Sequence, residues 1–238
     1  MATGLEPRNR LSFGLAEVFG GLLLAQVSAM GFGVLILGLA GYEADVDLSS
    51  LSLRLIAVLQ VPLWLGYLGV PLYLAKRGEG LVRTFGLRME WGDLWRGLGL
   101  GLVTQLVFVP LLYLPLQALF GELDVAAAAE ELTDRATDPV GVILLLLIVA
   151  VGAPLVEELF FRGLVQTVFV ARLGPTVGVI AQAFLFGIVH LQLIQLPGLV
   201  LFGLLAGELT RRSGRLGPAI WAHVAFNTTT VVALLLLG

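Results

Sequence analysis

The chain contains no cysteine, so disulfides, thiol nucleophiles and thiolate metal sites are excluded. Charge is scarce: Asp, Glu, Lys and Arg make up 13% of the 238 residues, against about 25% in soluble domains. The net charge of -3 comes without a basic tail or an Arg-rich repeat, so nothing favours a nucleic-acid partner. No internal repeat or low-complexity linker divides the chain. Histidine occurs only at His190 and His223.

What is present is apolar. Hydrophobic residues make up 58% of the chain and the mean hydropathy is +0.97. A soluble fold of this size has too little interior to hide them. They also come in runs spread along the whole chain, which excludes a single lipid anchor. A helix needs about 20 apolar residues to cross a bilayer core. That ruler marks about seven spans, at residues 13–40, 53–75, 94–120, 140–172, 176–194, 197–210 and 216–237. The expected fold is all-α, a polytopic transmembrane helix bundle, with membrane lipid as its surroundings. A flank at 1–12 precedes a single membrane domain at 13–238. The sixth run is short enough to be tilted or re-entrant, and the first is long enough to hide a break near Gly31 and Gly33. Val27-Ser28-Ala29 has the look of a signal-cleavage site, but the apolar run continues to Leu39, so an uncleaved first span is expected.

The polar connections alternate in sign. Arg8 and Arg10 precede the first span. Glu43, Asp45 and Asp47 follow it. Lys76, Arg77, Arg83 and Arg88 come next, then an acidic stretch with Glu122, Asp124, Glu130, Glu131, Asp134 and Asp138 against one Arg135. Arg172, and later Arg211, Arg212 and Arg215, mark the remaining basic turns. Basic connections stay on the cytoplasmic side. The pattern predicts a cytoplasmic N-terminus and an external C-terminus; the location expected is the cytoplasmic membrane of a prokaryote.

Against this background, ionisable residues inside spans stand out, because charge at membrane depth is costly and marks function by default. They are Glu157, Glu158, Arg162, His190 and His223, with Asn227 beside them. Glu158 and Arg162 share a helix face and can pair. Glu157 is turned about 100° away, which leaves its carboxylate to act as a base, although a second pairing with Arg162 stays open. Leu173-Gly174-Pro175-Thr176 reads as a tight turn. Glu157 and His190 lie almost equally far from it, at one depth of an antiparallel hairpin, about 20–25 Å from the turn. His223 and Asn227 share a face of the last span, and Phe186 can wall the ring of His190. Counted from its loop, His223 sits shallower than Glu157, unless the helix ends are staggered. Each of these polar residues could instead be interhelical glue. Glu17 falls near headgroup level, and Glu208 is expected to pair with Arg211 or Arg212. Trp64, Tyr67, Trp91 and Trp95 read as interfacial anchors.

A carboxylate and an imidazole can activate water, an imidazole and a carboxamide can stabilise an oxyanion, and a carboxylate with two imidazoles could ligate a divalent metal. Glu157-Glu158-Leu159-Phe160-Phe161-Arg162 matches an EExxxR motif, Phe186 to His190 an FxxxH motif, and His223 to Asn227 an HxxxN motif. In order and spacing, over about 94–237, these resemble the CPBP family of intramembrane proteases, which includes type II CAAX prenyl proteases and bacterial Abi and bacteriocin-immunity proteins. Ser213-Gly214-Arg215-Leu216-Gly217-Pro218-Ala219-Ile220 also looks like that family. Members often have eight spans, one more than the count here.

The resemblance implies an intramembrane endopeptidase acting on a membrane-associated protein or peptide. Glu157 and His190 would activate water, His223 and Asn227 would form the oxyanion site, and Glu158, Arg162 and Phe186 would support them. It leaves glutamic and metal-dependent chemistry both open; a zinc ion would fall to Glu157, His190 and His223. A non-catalytic scaffold or immunity protein on the same fold is the alternative. A transporter is disfavoured, since neither inverted repeats nor pairs of broken helices occur.

Overall fold

The computed structural model describes residues 13–43 and 45–237, with the side chain of Leu237 excepted. Arg8, Arg10 and the rest of the 1–12 flank lie outside the described residues. Nine helices and no strand are described: α1 Leu15–Leu39, α2 Leu53–Arg77, the short α3 Gly80–Phe85, α4 Trp91–Phe120, α5 Ala127–Thr133, α6 Pro139–Leu173, α7 Pro175–Ile188, α8 Leu196–Ser213 and α9 Gly217–Leu237. Helix is the expected answer to so apolar a sequence, because it satisfies every backbone polar group within one segment.

Seven of the nine helices coincide with the seven predicted spans, but only five are long and apolar enough to cross a membrane by themselves: α1, α2, α4, α6 and α9. The protein is an integral membrane protein. The count of seven is approximate because of α7 and α8. The fifth run was expected to reach residue 194, yet α7 stops at Ile188 after 14 residues. There the backbone tightens, with His190 N–H donating to the Gly187 carbonyl and Leu191 N–H to that of Ile188. Leu191 then takes a left-handed φ of 56°, which closes the helix. Leucines and Ile194 keep the stretch apolar past His190 and Gln192, and no Asp, Glu, Lys, Arg, Gly or Pro stands between 188 and 195, so hydropathy could not mark this end. The first run shows no break: α1 continues through Val27-Ser28-Ala29 and both Gly31 and Gly33.

The helices meet along glycine seams, as membrane bundles do when small residues let backbones approach. Gly97 and Gly101 of α4 face Pro218, Trp221, Ala222 and Ala225 of α9. Gly66 of α2 lies on the backbone of Ala25 in α1, and Gly203 of α8 lies on Ala183 of α7. A Cβ at Gly101 would collide with the Ala222 carbonyl, whereas one at Gly99 would meet nothing. Gly101→Ile is therefore expected to destabilise the fold by about 1–3 kcal/mol. Gly99→Ile should leave it unchanged. Unfolding midpoints in one detergent would check the pair.

Alternate connections gather at opposite ends, as the charge pattern required. At the basic end Leu216 N–H donates to the Gly86 carbonyl at 2.8 Å, and Arg215 grips the buried Asp93 at 2.6 and 2.8 Å. The guanidinium of Arg215 is held charged above its ordinary range by that carboxylate. At the other end Arg135 reaches the Leu48 and Leu51 carbonyls, at 3.1 and 2.8 Å.

The core lies where α6 crosses the bundle. Tyr67 of α2 stacks on Phe160 at 4.7 Å and meets Phe161 at 5.6 Å. Tyr67 is buried, and the ring of Trp64 lies against Gly152. Neither is an interfacial anchor, contrary to expectation. Apolar partners on α6 draw both rings inward, and the sequence of α2 alone does not show those partners. Trp91 and Trp95 are exposed and remain candidates for that belt.

Candidate active site

Helix α6 is not uniform. It widens into π turns at Leu147–Gly152 and Glu158–Val165, a local feature frequent at functional sites. The first has a traceable cause. Ala153 N–H bonds to the Ile148 carbonyl, five residues back, and Pro154 has no N–H to offer. The Val149 carbonyl is thus left without a helical donor. Asn227 of α9 supplies one, with Nδ2 at 2.8 Å. One N–H of the Asn227 amide is committed to holding α9 against α6, and the second N–H on that nitrogen is not.

The second π turn carries the charged cluster. Arg162 donates Nη1–H to Glu158 Oε1 at 2.8 Å, both side chains fully buried. The guanidinium lies over the Phe186 ring at 4.3 Å and the Phe202 ring at 5.5 Å, where a ring face attracts a cation. Glu158 Oε1 also receives His223 Nδ1 at 2.8 Å. Because an ionised carboxylate only accepts, His223 carries its proton on Nδ1. Arg162, Glu158 and His223 thus form one chain linking α6 to α9. No ion pair joins Arg162 to Glu157 among the described residues.

Glu157 stands apart from that chain. Its Oε2 lies 3.9 Å from His190 Nε2 and 3.9 Å from His223 Nε2. Both histidines of the protein therefore converge on this one carboxylate oxygen. His190 donates Nδ1–H to the Phe186 carbonyl at 2.6 Å, so Nε2 of the neutral ring is an acceptor turned toward Glu157. Phe186 walls the ring at 4.7 Å and touches His223 at 6.0 Å. Exposure grades across the cluster, from 27% for the His190 side chain through 15% for Glu157 to 4% for His223. The opening lies on the His190 side.

Every sequence-level candidate except Asn227 meets this cluster directly, and Asn227 lies one turn beyond His223. Glu208 pairs with Arg211 and Arg212 at the basic end, while Glu17 caps the start of α1 by accepting from Gly14 N–H. Neither takes part. Sequence reasoning missed the support of the loop that follows His190. Tyr113 donates its hydroxyl to the Ile194 carbonyl at 2.6 Å, and Gln195 donates to the Val125 carbonyl at 3.0 Å. The available signal was a tyrosine deep inside an apolar span, where its hydroxyl needs a partner. Tyr113→Phe leaves the Ile194 carbonyl unpaired. Faster amide hydrogen exchange across 189–195 is expected, with the rest of the bundle unchanged. Exchange mass spectrometry would detect the difference.

Among the described residues no group of three His, Asp or Glu side chains is spaced to hold a metal ion. The 3.9 Å separations exceed the roughly 3.3 Å between neighbouring ligands of a tetrahedral zinc with bonds near 2.0 Å. They are too long for direct hydrogen bonds as well, and suit one bridging water.

Fold and site together define a polytopic helical membrane protein with a carboxylate–imidazole cluster enclosed in its bundle. A family model described as Rce1-like, type II CAAX prenyl endopeptidase Rce1-like, matches residues 139–229, which take in all three motifs. The match supports a CPBP-family intramembrane protease, and at family level a CAAX-protease-like membrane endopeptidase. No curated protein and no solved structure matches the chain.

Proposed function

We propose that this protein is an intramembrane endopeptidase that hydrolyses a peptide bond of a membrane-associated substrate with a water held by Glu157 and His190. The observation that carries this reading is the convergence of both histidines on Glu157 Oε2 at 3.9 Å inside an apolar bundle. A water bridging those atoms gives its proton to the Glu157 carboxylate as its oxygen bonds to the scissile carbonyl carbon. His190 Nε2 accepts the water's other hydrogen and orients it. The carbonyl oxygen becomes an oxyanion facing His223. His223 donates Nδ1–H to Glu158, and a ring that also carries a proton on Nε2 donates that N–H to the oxyanion. The free N–H of Asn227 is the second candidate donor. As the C–N bond breaks, the proton held by Glu157 passes to the leaving amine.

No step passes through a metal, since the donor spacing fits a water better. The basic end of the bundle faces the cytoplasm in this reading, by the excess of Arg and Lys in the connections there. The substrate's chemistry beyond its peptide bond, including any prenyl group, is left open by the residues of the site.

The test is capture. Glu157→Gln protein, incubated with solubilised membrane proteins of the cell that makes it, is expected to retain a substrate that the wild type cleaves and releases. New N-termini from the wild type, formed in the presence of excess chelator, identify the bond. If the wild type generates none with or without chelator, the peptidase reading fails and a scaffold role takes its place. If chelator alone stops cleavage, the metal-free mechanism fails.

A further inference from the structure

A cavity lies at the basic end and meets the candidate active site only at Arg162. Its volume is about 1220 Å³, enclosed between the start of α1, α3, the last turns of α6 and the end of α8. Arg83 and Arg172 stand at its rim, where neither has a carboxylate partner within 4.0 Å among the described side chains. Arg162 and Gln166 line it from within, and both are more than nine-tenths buried. Among the described residues the Nε and Nη2 atoms of Arg162, Oε1 of Gln166 and Oγ1 of Thr210 have no hydrogen-bond partner. Gly174 and Pro175 add the N-terminus of α7, whose first N–H groups point out of the helix. Arg211 also lines the cavity, already paired with Glu208. Among the described residues no Asp or Glu lines it.

A wide cavity with unpaired arginines, buried unmet donors, a helix N-terminus and no carboxylate is built for an anion with several acceptor oxygens. The basic loops set the rim at the level of the bilayer surface. Phe13, Val82 and Val170 give the cavity an apolar flank, and Val82 is largely exposed. We propose that this cavity binds a phosphate group, that of an anionic phospholipid headgroup whose acyl chain lies along that flank. The rim arginines take the phosphate oxygens, and the inner donors take a headgroup hydroxyl or the waters around it. Arg162 is also the partner of Glu158, so an occupied cavity touches the same guanidinium that anchors the Glu158–His223 pair.

The experiment uses the full chain, purified in a neutral detergent. Native mass spectrometry and thermal unfolding are read with phosphatidylglycerol, phosphatidylcholine and inorganic phosphate as separate probes. One phosphatidylglycerol is expected to be retained and to raise the midpoint saturably. Arg83→Gln/Arg172→Gln should weaken its retention about tenfold or more, equivalent to about 1.4 kcal/mol. Arg88→Gln, an arginine outside the cavity paired with Glu90, should not. A variant-sensitive shift with inorganic phosphate as well assigns the site to phosphate itself; a shift with the lipid alone assigns it to the headgroup. Retention unaffected by the rim variant, or equal retention of phosphatidylcholine, overturns the proposal. Binding is read without turnover, so either result leaves the peptidase reading to its own test.

Discussion

Glu157→Gln is expected to lower peptide turnover by about 10²–10⁴-fold, the usual contribution of a general base. The substitution keeps the shape of the side chain and removes its charge and its capacity to take a proton. Among the described residues Glu157 makes no side-chain hydrogen bond that the fold depends on; the two histidine ring nitrogens lie 3.9 Å from its Oε2. Helix content, monodispersity and unfolding midpoint should therefore match the wild type. Substrate affinity should also survive, so the loss falls in kcat rather than KM. Single-turnover kinetics on a captured substrate would measure both. Turnover at the wild-type rate would remove Glu157 from the chemistry and return the cluster to a structural role.

The second large effect falls on stability. Arg162→Leu removes the guanidinium paired with the fully buried Glu158 and is expected to cost about 3–5 kcal/mol, the penalty for leaving one charge of a buried pair alone. Much of this should return in the double variant Glu158→Leu/Arg162→Leu, in which neither charge is buried. That variant should nonetheless be inactive, because His223 loses the acceptor for its Nδ1–H. Denaturant unfolding in detergent micelles, beside a cleavage assay, separates the two effects. A wild-type midpoint for the single variant would mean that Glu158 holds no charge in need of Arg162.

Seven helices were readable from hydropathy because each long apolar run must become a helix in lipid. The Glu158–Arg162 pair was readable from helical spacing, and the approach of His190 to Glu157 from their equal distances to Gly174-Pro175. What escaped needed a second helix to see it. Counting residues from the loops put His223 too shallow. In the structure it reaches both glutamates, so α9 starts deeper than the level where α6 ends at Leu173. Asn227 was readable as a companion of His223 on one helix face, or as interhelical glue, but without a named partner. Its bond to Val149 depends on Pro154 and on a π register that spacing at 3.6 residues per turn does not anticipate. Tyr67 passed for an anchor because its partners, Phe160 and Phe161, lie almost a hundred residues away in sequence.

The early end of α7 has a consequence for the lipid around it. At 1.5 Å per residue, its 14 residues reach about 21 Å, against a hydrocarbon core of about 30 Å. Beyond it the loop presents Leu191 and Leu193, 88% and 83% exposed, too apolar to stand in water. A bilayer that thins to meet them does so at a cost of fractions of a kcal/mol per Å of mismatch. Such thinning would draw the aqueous boundary on this flank toward His190. Bilayer thickness is therefore expected to set how readily water reaches the cluster, which turnover in vesicles of graded acyl-chain length would measure.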